Sequence, residues 1–176
     1  MIGRRMKVIK YPETIDKKTF LDEYSARLLE CLKISMESSF PQTLTLTPEA
    51  DDSWYKYLNI NLDKGVRYRI LEDDARIRGY LVWFYNDDEV QIYDLIIHPY
   101  HQCDGSTLRK LLMIFAKDIR YSGFSKLIAY TNSKNDRMNR LLIKRGFKVR
   151  QVRTRGTEYY IDLKQFLLKF KDRNKI

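Results

Sequence analysis

Between Tyr93 and Thr131 the chain reads as an apolar strand, a glycine-bearing turn, an apolar-periodic helix and a second apolar strand, an order that admits few folds. Two strands of one sheet joined through a helix run parallel, and the crossover is almost always right-handed. The first strand covers Tyr93 to His98 and the second Lys126 to Thr131. The helix, Thr107 to Tyr121, carries Leu108, Leu111, Leu112, Phe115, Ala116 and Ile119 on one side and stops at Ser122-Gly123. The turn is Gln102-Cys103-Asp104-Gly105-Ser106-Thr107. A turn there aims several backbone N–H groups at one place, and the positive end of the helix dipole adds to them. Its natural occupant is an anion such as a phosphate or pyrophosphate. An ordinary strand-to-helix connection uses the same residue types, with Gly105 for the turn and Ser106 for the cap.

The flanking segments predict the rest of a mixed α/β sheet. Val66 to Glu72, Arg76 to Tyr85 and Glu89 to His98, separated by Asp73-Asp74 and Asn86-Asp87-Asp88, form an antiparallel meander. Upstream, Lys7 to Tyr11 is a short strand stopped by Pro12. From Asp16, a plausible cap, to about Ser38, the residues Phe20, Leu21, Tyr24, Leu28, Leu29, Leu32, Ile34 and Met36 recur at near-helical spacing, as one helix or two joined by a bend. Between Pro41 and Asp63, Trp54, Tyr55 and Tyr57 read either as core or as the lining of a pocket. Downstream come a helix, Asp136 to Lys144, and strands around Lys148 to Arg153 and Thr157 to Leu163, joined at Arg155-Gly156. A basic amphipathic tail, Gln165 to Lys171, follows. At 176 residues and 44% hydrophobic content, a single domain over 1–176 is expected.

No apolar run approaches the ~20 residues of a membrane span, and Met1-Ile2-Gly3-Arg4-Arg5-Met6-Lys7 lacks the apolar stretch of a secretory signal. A cytoplasmic protein with no membrane partner is expected. Cys31, on a helix, and Cys103, in the turn, provide no disulfide framework and no metal-ligand spacing, so no metal is expected. The formal net charge of +10 attracts acidic partners, including nucleic acid, ribosomes and anionic coenzymes. The excess lies in Arg4, Arg5, Lys7 and Lys10, in Lys164, Lys169, Lys171, Arg173 and Lys175, and in Arg145, Lys148, Arg150, Arg153 and Arg155. No groove-reading motif accompanies it, and solvated faces explain it as well as a nucleic-acid surface does.

After the second strand stands Asn135-Asp136-Arg137-Met138-Asn139-Arg140-Leu141-Leu142-Ile143-Lys144-Arg145-Gly146-Phe147. Together with the turn, this segment resembles the GCN5-related N-acetyltransferase (GNAT) superfamily, best over residues 66–163. In that family a Gln/Arg-x-x-Gly-x-Gly/Ala turn cradles the pyrophosphate of acetyl-coenzyme A, and Gln102, Gly105 and Thr107 occupy its motif positions. The family's Asn-x-x-Ala-x-x-Leu-Tyr-x-Lys-x-Gly-Phe segment falls on Asn135, Met138, Leu141, Leu142, Lys144, Gly146 and Phe147. The resemblance implies a GNAT-like fold, a meander plus one parallel crossover, whose strands Tyr93 to His98 and Lys126 to Thr131 splay apart to admit the pantetheine arm. It implies acetyl-CoA as acyl donor. Gln102, Cys103, Asp104, Gly105, Ser106 and Thr107 would hold the pyrophosphate, Leu95, Ile96 and Ile97 the pantetheine, and Asn135 the cofactor or the helix start. Three positions depart from the pattern. Thr107 replaces a Gly/Ala, Asp104 stands where a basic residue is common, and Leu142 stands where many members place a proton-donating tyrosine.

Acetyl transfer needs an amine stripped of its proton, a polarised thioester and a proton for the departing thiolate. Polar residues on the first splayed strand are Glu89, Tyr93, Asp94 and His98; Asp94 is the first choice, as a base through water or as an anchor for a cationic amine. His98, just before Pro99, also suits turn support. Tyr130 and Tyr93 are the phenols able to replace the missing acid, and Arg109 and Lys110 reach phosphates or solvent. The expected activity is transfer of an acetyl group from acetyl-CoA to a primary amine of a small molecule or protein, by direct attack in a ternary complex. The alternative is a non-catalytic module of the same fold that binds CoA, nucleic acid or a protein through its basic surface, or a subunit active only in a complex.

Overall fold

The computed structural model describes residues 6–39, 49–74, 76–103 and 105–170. Asp104, Arg4, Arg5, Lys171, Arg173, Lys175 and the start of the Pro41 segment lie outside the described residues. In chain order the elements are β1 (Lys7–Tyr11), α1 (Lys17–Ser39), α2 (Glu49–Asp63), β2 (Arg67–Asp73), β3 (Arg76–Asn86) and β4 (Glu89–Ile97). A 3-10 turn (Pro99–His101) leads to α3 (Ser106–Ile119), β5 (Lys126–Asn132), α4 (Asp136–Lys144), β6 (Lys148–Arg153), β7 (Gly156–Asp162) and α5 (Leu163–Leu168). The sheet has the order β1-β2-β3-β4-β5-β7-β6. β4 and β5 pair in parallel across α3, whereas β1/β2, β5/β7 and β6/β7 are antiparallel. This is the mixed α/β sheet with one crossover that the sequence predicts.

Two compact units divide the chain, Met1–Val82 with Asp94–Ile114 and Trp83–Tyr93 with Phe115–Ile176. In the first, α1 is one continuous helix. Asp16 caps it by accepting from the Thr19 backbone N–H at 3.0 Å and from its hydroxyl at 2.6 Å. Its buried stripe runs Phe20, Leu21, Tyr24, Leu28, Cys31 and Ser35, and Phe20 packs against Tyr11 and Tyr68 at ring separations of 4.8 and 5.0 Å. The apolar Leu32, Ile34 and Met36, expected to continue the stripe, are only half-buried. The polar Ser35 takes the inward position because its hydroxyl donates to the Ile97 carbonyl at 3.1 Å. In α2, Leu58 and Leu62 are the core residues, while Trp54 and Tyr55 line a cavity.

The second unit is built on aromatic packing. Trp83 meets Phe115 edge-on at 5.1 Å, and Phe166 meets both Phe115 and Phe147 edge-on, at 5.9 and 6.4 Å. The expected basic tail is therefore in part structural: α5 begins at an Asp162 cap and buries Leu163 and Phe166. β6 is exposed throughout, yet part of its charge is paired. Arg150 contacts Glu89 at 2.8 Å and Glu158 at 3.4 Å, and Arg153 contacts Glu158 at 3.4 Å.

Candidate functional site

The Gln102–Thr107 turn is held from behind by its own strand. Gln102, one of the motif residues, donates its Nε2 hydrogen to the Ile97 carbonyl at 2.9 Å, so it closes the loop onto the end of β4. His98 caps the 3-10 turn, its Nδ1 accepting from the Tyr100 N–H at 3.4 Å, and its own N–H donates to the Arg78 carbonyl at 2.9 Å. The Arg78 guanidinium lies 3.1 Å from His101 Nδ1, a second brace that the sequence does not signal. Gly105 has φ +65°, with nothing near the place of a side chain. That left-handed conformation is the reason for a glycine here. Helix α3 then starts at Ser106, with Ser106 and Arg109 exposed and Lys110 half-buried. Cys103 is exposed.

Thr107, one of the three departures from the family pattern, turns its side chain inward, where it is fully buried. A Cβ on Gly79 would sit 3.2 Å from the Thr107 Cγ2, 2.7 Å from the Ile96 carbonyl oxygen and 3.0 Å from Ile97 Cδ1. The missing side chain of Gly79 in β3 thus makes the room that Thr107 uses, and an isolated glycine inside a strand pattern was the available signal. Thr107 Oγ1 is buried with no hydrogen-bond partner among the described residues. A left-handed glycine followed by the first turn of a helix suits a phosphate-bearing ligand, but the Thr107 hydroxyl has no exposed surface to offer it.

Asp94, in the same unit as the turn, is partly accessible, yet burial pushes its carboxyl up to about 7. The Tyr80 phenol is fully buried, and Tyr80 Oη has no hydrogen-bond partner among the described residues. Burial first, then the Asp94 charge, drives that phenol well above its ordinary value, so it stays protonated. Cys31, on α1, is pushed by burial up to about 12, which makes its thiol inert at neutral pH. Leu95, Ile96 and Ile97 are half-buried.

Tyr93, Tyr130 and Asn135 belong to the second unit. There the parallel ladder pairs Glu89 with Lys126 through Ile92 with Ala129, and the next residues, Tyr93 and Tyr130, are each nearly half exposed. Asn135 caps α4, accepting from the Met138 N–H at 3.1 Å. Leu142 is buried in the packing of α4.

Asn139, which no motif marks, ties the end of β5 to α4 and β7. Its Oδ1 accepts from Thr131 Oγ1 at 2.8 Å and from Tyr159 Oη at 3.0 Å, and its Nδ2 donates to the Asn132 carbonyl at 3.3 Å. Asn139→Ala strands the buried Tyr159 hydroxyl and is expected to cost about 1–3 kcal/mol. Urea unfolding checks this, and an unchanged midpoint would show that Tyr159 finds another acceptor.

No protein-family model matches this sequence, and no curated protein does. Solved structures do. One is the PaiA N-acetyltransferase of Thermoplasma acidophilum in complex with coenzyme A, with TM-score 0.66 and 13% identity over 90% of this chain and 99% of that one. An acetyltransferase of the GNAT family from Staphylococcus aureus Mu50 matches with TM-score 0.65 and 12% identity over the same shares. An acetyltransferase from Streptococcus agalactiae 2603 matches with TM-score 0.63 and 16% identity over 88% and 96%. The sheet order, the parallel β4/β5 pair across α3 and these matches agree: the chain has the fold of the GCN5-related N-acetyltransferases.

Proposed function

We propose that this protein is an acetyl-CoA-dependent N-acetyltransferase acting on a primary amine. One segment carries the reading. Residues 94–107 hold, within one unit, a carboxylate raised to about 7 and an anion-binding turn that opens α3. The fold supports it, and one structural neighbour was solved with coenzyme A. The residues present suit such a ligand. Gly105 and the first N–H groups of α3 would hold the pyrophosphate, and Leu95, Ile96 and Ile97 would flank the pantetheine.

When bound, acetyl-CoA supplies an activated thioester. Asp94 takes a proton from the ammonium form of the acceptor, directly or through a water, leaving a neutral nitrogen. Its raised pKa suits a base working near neutral pH. As the new C–N bond formed and the C–S bond broke, the nitrogen would lose its second proton to water and the departing sulfur would take one from water, because Leu142 has none to give. The basic groups away from this segment serve solubility and attraction of the polyanionic coenzyme.

Calorimetric titration with acetyl-CoA tests the reading. Wild type is expected to bind, and Gly105→Trp to lose binding while keeping a cooperative melt, because the site of substitution faces open space and carries only the backbone penalty of about 1–2 kcal/mol. A wild-type chain that does not bind acetyl-CoA ends this proposal.

A further inference from the structure

In the first unit, the peptide between Ile97 and His98 ends β4 and is held on both sides. Its N–H, that of His98, donates to the Arg78 carbonyl of β3 at 2.9 Å. A trans peptide sends the carbonyl the opposite way. There the Ile97 oxygen accepts two side-chain donors, Ser35 Oγ from α1 at 3.1 Å and Gln102 Nε2 at 2.9 Å. A carbonyl has two lone pairs, so these two donors fill it. One donor sits on a helix 62 positions upstream, and the other opens the turn that leads into α3. Ser35 is buried in the inward stripe of α1, and the helix also packs against the 3-10 turn Pro99–His101. Gln102 is tied a second time, its backbone N–H donating to the Pro99 carbonyl at 3.2 Å. With the Ile97 oxygen fixed, the Gln102 side chain has one place to reach, and the turn that follows starts from one position.

We infer that Ser35 is a positioning residue for the Gln102–Thr107 turn: through the shared Ile97 carbonyl, α1 holds the turn in the form that takes the pyrophosphate of acetyl-CoA. The inference rests on the acetyltransferase reading for the identity of the ligand and on the shared carbonyl for the coupling. Ser35 is buried and acts through that carbonyl, not on the ligand. Without its hydroxyl the peptide plane keeps only Arg78 and Gln102, and the Gln102 side chain follows the carbonyl as it tilts. The first N–H groups of α3 must converge on one phosphate. A turn that samples several positions is competent for only a fraction of the time, and affinity falls by that fraction.

The test is calorimetric titration of acetyl-CoA into the full chain, well below its melting temperature, for wild type, Ser35→Ala, Gln102→Ala and the double variant. Alanine is the better helix former, so Ser35→Ala keeps α1. It is expected to bind acetyl-CoA about five- to tenfold more weakly, the size of one hydrogen bond. In the Gln102→Ala background the same change should cost less than about twofold, because the two donors work through one acceptor. A serine that served the fold alone would lower the melting temperature and leave this affinity unmoved. Amide hydrogen exchange of the ligand-free chain gives a second readout. The His101 and Gln102 amides, which donate to the His98 and Pro99 carbonyls, should exchange about five- to tenfold faster in Ser35→Ala, with the β7 amides unchanged. Equal acetyl-CoA affinity in Ser35→Ala and wild type, or losses that add in the double variant, overturns the inference. A wild-type chain that binds no acetyl-CoA ends the acetyltransferase reading instead. The exchange comparison then decides the role of Ser35, and unchanged rates at His101 and Gln102 overturn it.

Discussion

Replacing Asp94 with Asn is expected to lower kcat/KM by about 10²–10⁴-fold, the contribution of a positioned general base. The pH profile makes the test specific. Burial pushes the Asp94 carboxyl up to about 7, so the wild-type rate should climb as pH rises to that value and then level, and the Asn variant should lack this limb. The stability effect has the opposite sign. An unfolded chain releases the Asp94 proton near its ordinary value of about 4, while the folded chain keeps it to about 7. Across that window the native state binds more protons than the unfolded state, so stability falls as pH rises. The uncharged Asn removes that penalty, and the variant should melt higher than wild type at pH 8 while turning over more slowly. Wild-type turnover with an unchanged pH limb in the variant would take Asp94 out of the chemistry.

Gly156→Ala should be the most damaging single-methyl change to the fold. A Cβ there would lie 2.2 Å from the Thr131 carbonyl oxygen and 2.6 Å from the Tyr130 hydroxyl. The nearer atom is backbone and cannot rotate away. Overpacking of this kind costs about 1–3 kcal/mol, enough to lower Tm by about 2–12 °C. Because Tyr130 lies over the same glycine, the substitution also displaces its half-exposed phenol. A melt within about 1 °C of wild type would mean that β5 and β7 separate more easily than their seven-pair register suggests.

Elements whose cause is local were legible in the sequence. β1, α4 and β6 fall where their stop signals and periodicities put them, at Lys7–Tyr11, Asp136–Lys144 and Lys148–Arg153. The turn before α3 was legible because a glycine at positive φ and a strand end are both written locally. The Asp16 and Asn135 caps followed for the same reason. Less legible were residues whose role is set by what lies across the sheet. Gly79 serves Thr107, 28 positions on; Ser35 reaches Ile97, and Asn139 reaches Tyr159. The C-terminal segment looked like a charged tail because only Leu163 and Phe166 turn inward, and the partners of Phe166 are distant Phe115 and Phe147.

The sequence by itself determined the order of elements, the parallel crossover and the place of the glycine turn before α3, since period, caps and glycines act within a few residues. Only the tertiary structure decided the state of the side chains in that frame. Thr107 turns inward because Gly79 leaves space, Asp94 is raised because neighbours exclude water, and Ser35 and Gln102 meet at one carbonyl because α1 packs against the 3-10 turn after β4. Desolvation and close contact depend on atoms brought together from distant parts of the chain, and local periodicity carries no record of them.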